Sequence, residues 1–151
     1  MAKEAKLTGF KELNDVLVQM GEDFCYGKTA RRVLIPAIKA ALQPVLEKAR
    51  QLAPYDETNH STPHLRDSLR LNARTPTPRD QRSIYSEPND IAIGIVTVKT
   101  DKRGMSQEFG NADTTAQPYL RPALESQSSR VIAILSSFLT YKLTQYKSKK
   151  A

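Results

Sequence analysis

One cysteine, no tryptophan and only six glycines occur in the 151 residues. A lone thiol, Cys25, cannot close an internal disulfide, so a disulfide-stapled scaffold is excluded and a reducing compartment is expected. So few glycines exclude a collagen-like chain. No apolar run approaches the ~20 residues needed to cross a bilayer. The opening Met-Ala-Lys-Glu-Ala-Lys lacks the apolar core of a secretion signal. A soluble product of the cytoplasm with no membrane partner is the expectation. Acids are scarce too: 16 Asp and Glu against 23 Lys and Arg, a net charge of +7. That excess attracts polyanions and keeps a monomer in solution, but it says nothing about fold.

What is present is ordinary core material, with 39% hydrophobic residues. A chain of this length buries roughly 70% of its unfolded surface and needs no staple. After Thr8, the spacing of Phe10, Leu13, Val16, Leu17 and Met20 predicts a short amphipathic helix that Gly21 ends. A longer helix is predicted from about Thr29 to Pro54, with Leu34, Ile38, Ala41, Val45, Ala49 and Leu52 as its stripe. Pro36 and Pro44 interrupt it. An interior proline costs ~3 kcal/mol unless the helix bends, and the stripe stays in phase on both sides, so a kink is expected rather than a break.

Residues 55–63 read as a loop. Leu69, Leu71 and Ala73 then alternate with Arg70, Asn72 and Arg74, the period of a half-buried strand with arginines on its open face. A long connection follows, with a brief strand at Ile84-Tyr85. Ile91 to Lys99 is apolar on both faces and is expected to be a strand that is either central or covered by helices. Asp101 to Gly104 reads as a hairpin turn into a third strand, Met105 to Phe109, and residues 110–117 read as a polar loop. Pro122 suits the first position of a last helix, which carries Leu124, Val131, Leu135, Phe138 and Leu139 inward to about Tyr146. The expectation is one α+β domain over residues 1–146, a small antiparallel sheet packed against the kinked helix and the long C-terminal helix, followed by a basic tail at 147–151.

Residues able to carry chemistry are few. His60 and His64 are four apart, but Ser61-Thr62-Pro63 between them breaks the helix that a shared metal would need. Cys25 has Lys28 nearby and no local histidine, which reads as an incidental thiol. No phosphate-binding glycine loop, dinucleotide fingerprint or nucleophile elbow occurs. No catalytic residue, metal or cofactor is therefore assigned. Five arginines, Arg66, Arg70, Arg74, Arg79 and Arg82, fall in one stretch, and Lys147, Lys149 and Lys150 crowd the end. They read either as a solvated face or as contacts to phosphate. Aromatics do not interleave with them as base-stacking sheets require, and the two prolines disturb a helix-turn-helix reading of residues 10–53.

One segment carries a resemblance. Gln107-Glu108-Phe109-Gly110, a polar loop, and Gln117-Pro118-Tyr119-Leu120-Arg121-Pro122-Ala123-Leu124-Glu125 resemble the signature of a family of tailed-phage neck proteins, minor tail components of the tail-completion type, with Tyr119 in place of the usual Phe. Gly9 to Leu13, Pro44 to Pro54 and His64 to Leu69 resemble further pieces of the family pattern in the same order. Asp56 to Pro63 departs from it, being longer and lacking a glycine, and the connection at 75–90 looks like an insertion.

The resemblance implies a noncatalytic virion protein of the siphophage neck. Its copies would form a ring, hexameric by the tail's symmetry or else dodecameric, between head-closure proteins and the tail terminator or tube, with genomic DNA in the channel. Such rings need head-to-tail contacts. The residues expected at the interface are Glu108, Phe109, Gly110, Tyr119, Leu120 and Arg121, with Lys102 and Arg103 of the preceding loop and the projecting last helix. Glu108 and Arg121 bracket the loop and pair either within one subunit or across the interface. Arg70, Arg74, Arg79 and Arg82 are expected to face the channel or an acidic neighbouring ring. A tail terminator and a nonspecific DNA-binding protein are the alternative readings.

Overall fold

The computed structural model describes residues 28–55, 57–58, 63–83, 86, 90–98 and 102–150. The expected helix over 10–20 and the strand at Ile84-Tyr85 lie outside the described residues. Helix α1, Lys28–Leu52, runs unbroken through Pro36 and Pro44. The interior proline costs ~3 kcal/mol, and burial of Val45 and Leu46 beside it, at ~1.5–3 kcal/mol each, offsets that cost. Of the expected stripe, Ala41, Val45 and Ala49 are buried, Leu34 and Ile38 half-buried and Leu52 exposed. The buried row extends at every fourth residue to Ala37 and Ala53, with Leu46 beside it. Small side chains on an i±4 ridge let neighbouring elements approach closely, and hydropathy reading underrates alanine.

A one-turn helix α2, Leu65–Ser68, leads into strand β1, Leu69–Arg74, which keeps the predicted alternation. Helix α3, Pro78–Gln81, interrupts the long connection. Thr77 and Asp80 cap it reciprocally, an arrangement that Pro78 favours at the first position. Strand β2, Ile93–Val98, pairs antiparallel with β1, with Leu69 opposite Val98, Leu71 opposite Val96 and Ala73 opposite Gly94. The described sheet has these two strands. Residues of both faces of β2 are half-covered. Gly94 is required where the sheet meets α1: a β-carbon there would run into Ile38 Cγ2 and Leu42 Cδ1.

Residues expected to be a hairpin turn and third strand are helix α4, Lys102–Phe109. The segment Lys-Arg-Gly-Met-Ser-Gln-Glu-Phe has no β-branched residue, and Lys, Arg, Met, Gln and Glu are good helix formers. Its one glycine is not a turn residue: a β-carbon on Gly104 would stand 3.0 Å from Val98 Cγ2 and 3.1 Å from the Tyr119 hydroxyl. Helix α5, Leu120–Lys150, begins two residues before Pro122 and extends four beyond Tyr146, so the basic tail continues the helix. At 1.5 Å per residue it is about 46 Å long, against a radius of gyration of roughly 15 Å for a compact chain of this size.

Helices α1 and α5 are antiparallel. Ala37 shares a core cluster with Leu139 and Leu143, while Ala49 and Ala53 share one with Tyr119 and Ala123 at the other end. Leu65, Leu69, Val96 and Val98 complete that second cluster, so the sheet, α1 and the start of α5 enclose one core. Among the described residues no helix is long and apolar enough to cross a membrane. The fold is α+β.

Candidate functional site

The two halves of the resemblance segment meet where α4 ends and α5 begins. Gly110 closes α4 in the left-handed region at φ +76°, its amide donating to the Ser106 carbonyl at 2.8 Å. A side chain there would be strained and would press on the Ala116 amide at 3.0 Å. The loop returns with the Gln117 amide donating to the Gln107 carbonyl at 2.6 Å. This places the Glu108 carboxylate under the start of α5. Its Oε2 accepts from the Tyr119 and Leu120 amides at 2.8 and 2.9 Å, and its Oε1 accepts from the Arg121 amide at 3.1 Å.

The first amides of a helix have no partner within it, and a carboxylate at the positive end of the helix dipole is favoured. Pro122, which has no N–H, occupies the next position, and the Ala123 amide already reaches the Tyr119 carbonyl at 3.3 Å. The start of α5 is thereby satisfied. Partial burial pushes the Glu108 carboxyl up, but the bonds from Leu120, Tyr119 and Arg121 with the Arg121 charge outweigh it, and the group lies below its ordinary value. Within one chain, Glu108 thus reaches Arg121 through the backbone amide.

Tyr119 is 0% exposed, and its hydroxyl donates to the Gly104 carbonyl at 3.3 Å. It anchors α5 in the core and is not available to a neighbouring molecule, contrary to the expectation for it. Leu120 is half-buried against the same core. Phe109 differs from the rest of the motif. It is 70% exposed, as is Met105 one turn before it, and Leu124 is 51% exposed rather than turned inward. These three border an open groove of about 940 Å³ whose floor is β2. Leu124 was expected to face inward because it is a leucine in phase with Val131. At this end of α5, however, Ala123 and Tyr119 take the buried positions. Met105 escaped notice because its segment was read as a strand.

Lys102 and Arg103 belong to the first turn of α4, not to a loop. Arg103 is exposed and donates from Nη2 to the Pro63 carbonyl at 2.8 Å.

The four other arginines divide. Arg74 forms a two-pronged ion pair with Asp80, with Nη1 on Oδ2 and Nη2 3.1 Å from Oδ1. Asp80 also accepts from the Thr77 amide and hydroxyl at 2.7 Å each. The Arg74 bond, then those from Thr77, hold the Asp80 carboxyl far below the usual carboxylate range. Arg74 thus ties β1 to α3. Arg82 turns back onto the Pro78 carbonyl, Nε donating at 3.2 Å. Arg70 and Arg79 are solvent-exposed, Arg70 on the open face of β1 as the alternation predicted.

His64 stacks on Tyr55, ring centroids 4.7 Å apart, and the Arg66 guanidinium lies 4.5 Å over the same ring. His60 lies outside the described residues. Among the described residues no three His, Cys, Asp or Glu side chains group as metal ligands would. No family model, curated protein or solved structure matches the chain.

Proposed function

We propose that this chain is a structural protein of the siphophage neck, of the tail-completion type, whose copies assemble as a ring between the head-closure proteins and the tail terminator or tube, with DNA passing through the centre. The reading begins from the resemblance, and the exposure of Phe109 carries it further. Glu108 caps a helix, Gly110 turns a loop and Tyr119 fills the core, so folding accounts for these members of the motif. Phe109 fills no buried core position and is left 70% exposed. A large aromatic left in water beside Met105 and Leu124, over an apolar groove, is the surface an adjoining molecule covers. No catalytic step is assigned.

Among the expected interface residues Phe109 therefore keeps its role, Met105 and Leu124 join it, and Arg121 lies on the rim. Arg70 and Arg79, rather than Arg74, are the arginines offered to the channel or to an acidic neighbouring ring. A terminator would occupy the same junction. Imaging of virions, with the density of this chain fixed by its long helix, distinguishes the two by the layer in which it lies.

The test is the pair F109S and M105S introduced together. Both side chains are exposed, so urea unfolding of the isolated protein is expected to stay within about 0.5 kcal/mol of the parent. Particles made with the double variant are expected to show heads and tails that fail to join. Joined, infectious particles at parental yield would remove the interface, and absence of the chain from the junction would remove the neck reading.

A further inference from the structure

The excess of positive charge sits at one end of the molecule. Helices α1 and α5 pack antiparallel, which sets the start of α1 beside the end of α5: Val33, Leu34 and Ala37 share a cluster with Leu135, Leu139 and Leu143. Residues 28–46 of α1 hold Lys28, Arg31, Arg32 and Lys39 and no acid, and residues 126–150 of α5 hold Arg130, Lys142, Lys147, Lys149 and Lys150 and no acid. These nine leave 14 Lys and Arg against all 16 Asp and Glu in the rest of the chain, so this end carries more than the whole net charge of +7. Arg31, Arg32, Lys39 and Arg130 are exposed, and among the described residues none of the four meets a carboxylate. Folding does not account for the cations of α1. No acid occupies its first turn, and cations there oppose the positive end of the helix dipole. At 3.6 residues per turn, Lys28, Arg31, Arg32 and Lys39 fall within an arc of about 100° on the side away from Ala37.

We propose that this end of the α1–α5 pair binds the phosphate backbone of double-stranded DNA, without regard to sequence. The surface is separate from Arg70 on β1 and Arg79 on α3. Its charge runs along a length rather than converging on a point: 19 residues of α1 span about 28 Å, the length of roughly eight base pairs of a duplex that carries one negative charge per ~1.7 Å. A protein partner would need apolar area to bury at the centre of its contact. The depression beside Tyr141 is shallow, and Phe138 in its lining already packs in the core shared with α1. A polyanion needs only the charge. The Lys142 ammonium lies 5.8 Å and 5.9 Å from the ring centroids of Phe138 and Tyr141, so these rings hold a cation rather than offer a platform for unpaired bases. That the duplex is the packaged genome rests on the neck reading; binding by the isolated chain does not, so the two fail separately.

The test is the anisotropy of a labelled random-sequence duplex of about 20 base pairs, titrated with the full chain between about 25 and 200 mM KCl. The parent is expected to bind with an affinity that falls steeply as salt rises. In R31Q/R32Q the slope of log affinity against log salt is expected to be shallower by about 2, and the affinity at the lowest salt at least about tenfold weaker. Removal of cations from the positive end of a helix does not weaken that helix, so unfolding does not mimic the effect. K48Q/R50Q, the same change of charge at the far end of α1, is expected to stay within about twofold of the parent. No binding by the parent, or an equal loss in both variants, overturns the proposal. Poly-glutamate that competes as well as the duplex, charge for charge, overturns it in favour of an acidic protein. A second readout uses the unaltered chain: the duplex is expected to protect Arg31 and Arg32 from phenylglyoxal more than it protects Arg50. Equal modification of Arg31 and Arg32 with and without DNA counts against the proposal.

Discussion

Glu108 shows how much one side chain can organise. Three amides that open α5 depend on its carboxylate, and hydrogen bonds to a charged group contribute about 1.5–3 kcal/mol each when partly shielded. Loss of a helix cap costs about 0.5–2 kcal/mol in measured cases. Here part of the site is open to water, so E108A is expected to destabilise by about 2 kcal/mol and E108Q, which keeps an acceptor, by about 1 kcal/mol. The carboxyl is lowered in the folded state, so its ionised form stabilises the fold above the unfolded-state value. That contribution is lost as pH falls through the folded-state value. Urea unfolding of parent and E108Q should therefore differ at pH 7 and converge as the pH falls below the ordinary glutamate range. A constant gap across that range is the outcome this account forbids.

Among the elements, the close seam between sheet and α1 is the most exposed to a small change. A methyl on Gly94 meets Ile38 and Leu42, and overpacking of this kind costs about 1–3 kcal/mol. G94A is expected to fall in that range by thermal or urea unfolding. The obstructing atoms are side-chain ends, so L42A in the same chain should recover part of the loss, and a double-mutant cycle measures the coupling. Strict additivity would mean that the two residues do not touch.

The elements also show where periodicity succeeds and fails. Strand β1 was legible because Leu69, Leu71 and Ala73 alternate with polar residues, and α1 because its stripe spans both prolines. Helix α4 was misread: eight residues hold too few apolar positions to separate period 2 from period 3.6, and Gly104 imitates a turn while serving a close contact with Val98 and Tyr119.

Over the whole molecule, the charge of +7 favours contact with polyanions and opposes contact between like copies, so the proposed assembly calls for surfaces that carry little positive charge. The groove beside Phe109 is such a surface, bordered among the described residues by the charged Asp80, Glu108 and Arg121. Reversal of Arg70 and Arg79 together, R70E/R79E, is expected to leave unfolding within about 0.5 kcal/mol of the parent, since both are exposed. If the proposed neck role holds, it should lower DNA retention in assembled particles, scored as the packaged fraction at several salt concentrations. Retention equal to the parent at all of them would release both arginines from the channel.

Composition and pattern were enough to exclude disulfides within the chain, to locate α1, β1, β2 and α5, and to single out the segment from Gln107 to Glu125. Those conclusions are local, since a repeat of apolar residues or a missing second cysteine is visible without knowing what packs on what. Which members of that segment serve folding and which are left exposed was decided only when the chain closed on itself. Burial of Tyr119, capture of three amides by Glu108 and exposure of Phe109 all depend on where the end of α4 lands against the start of α5, a contact that follows from shape and volume rather than from the order of residues along either helix.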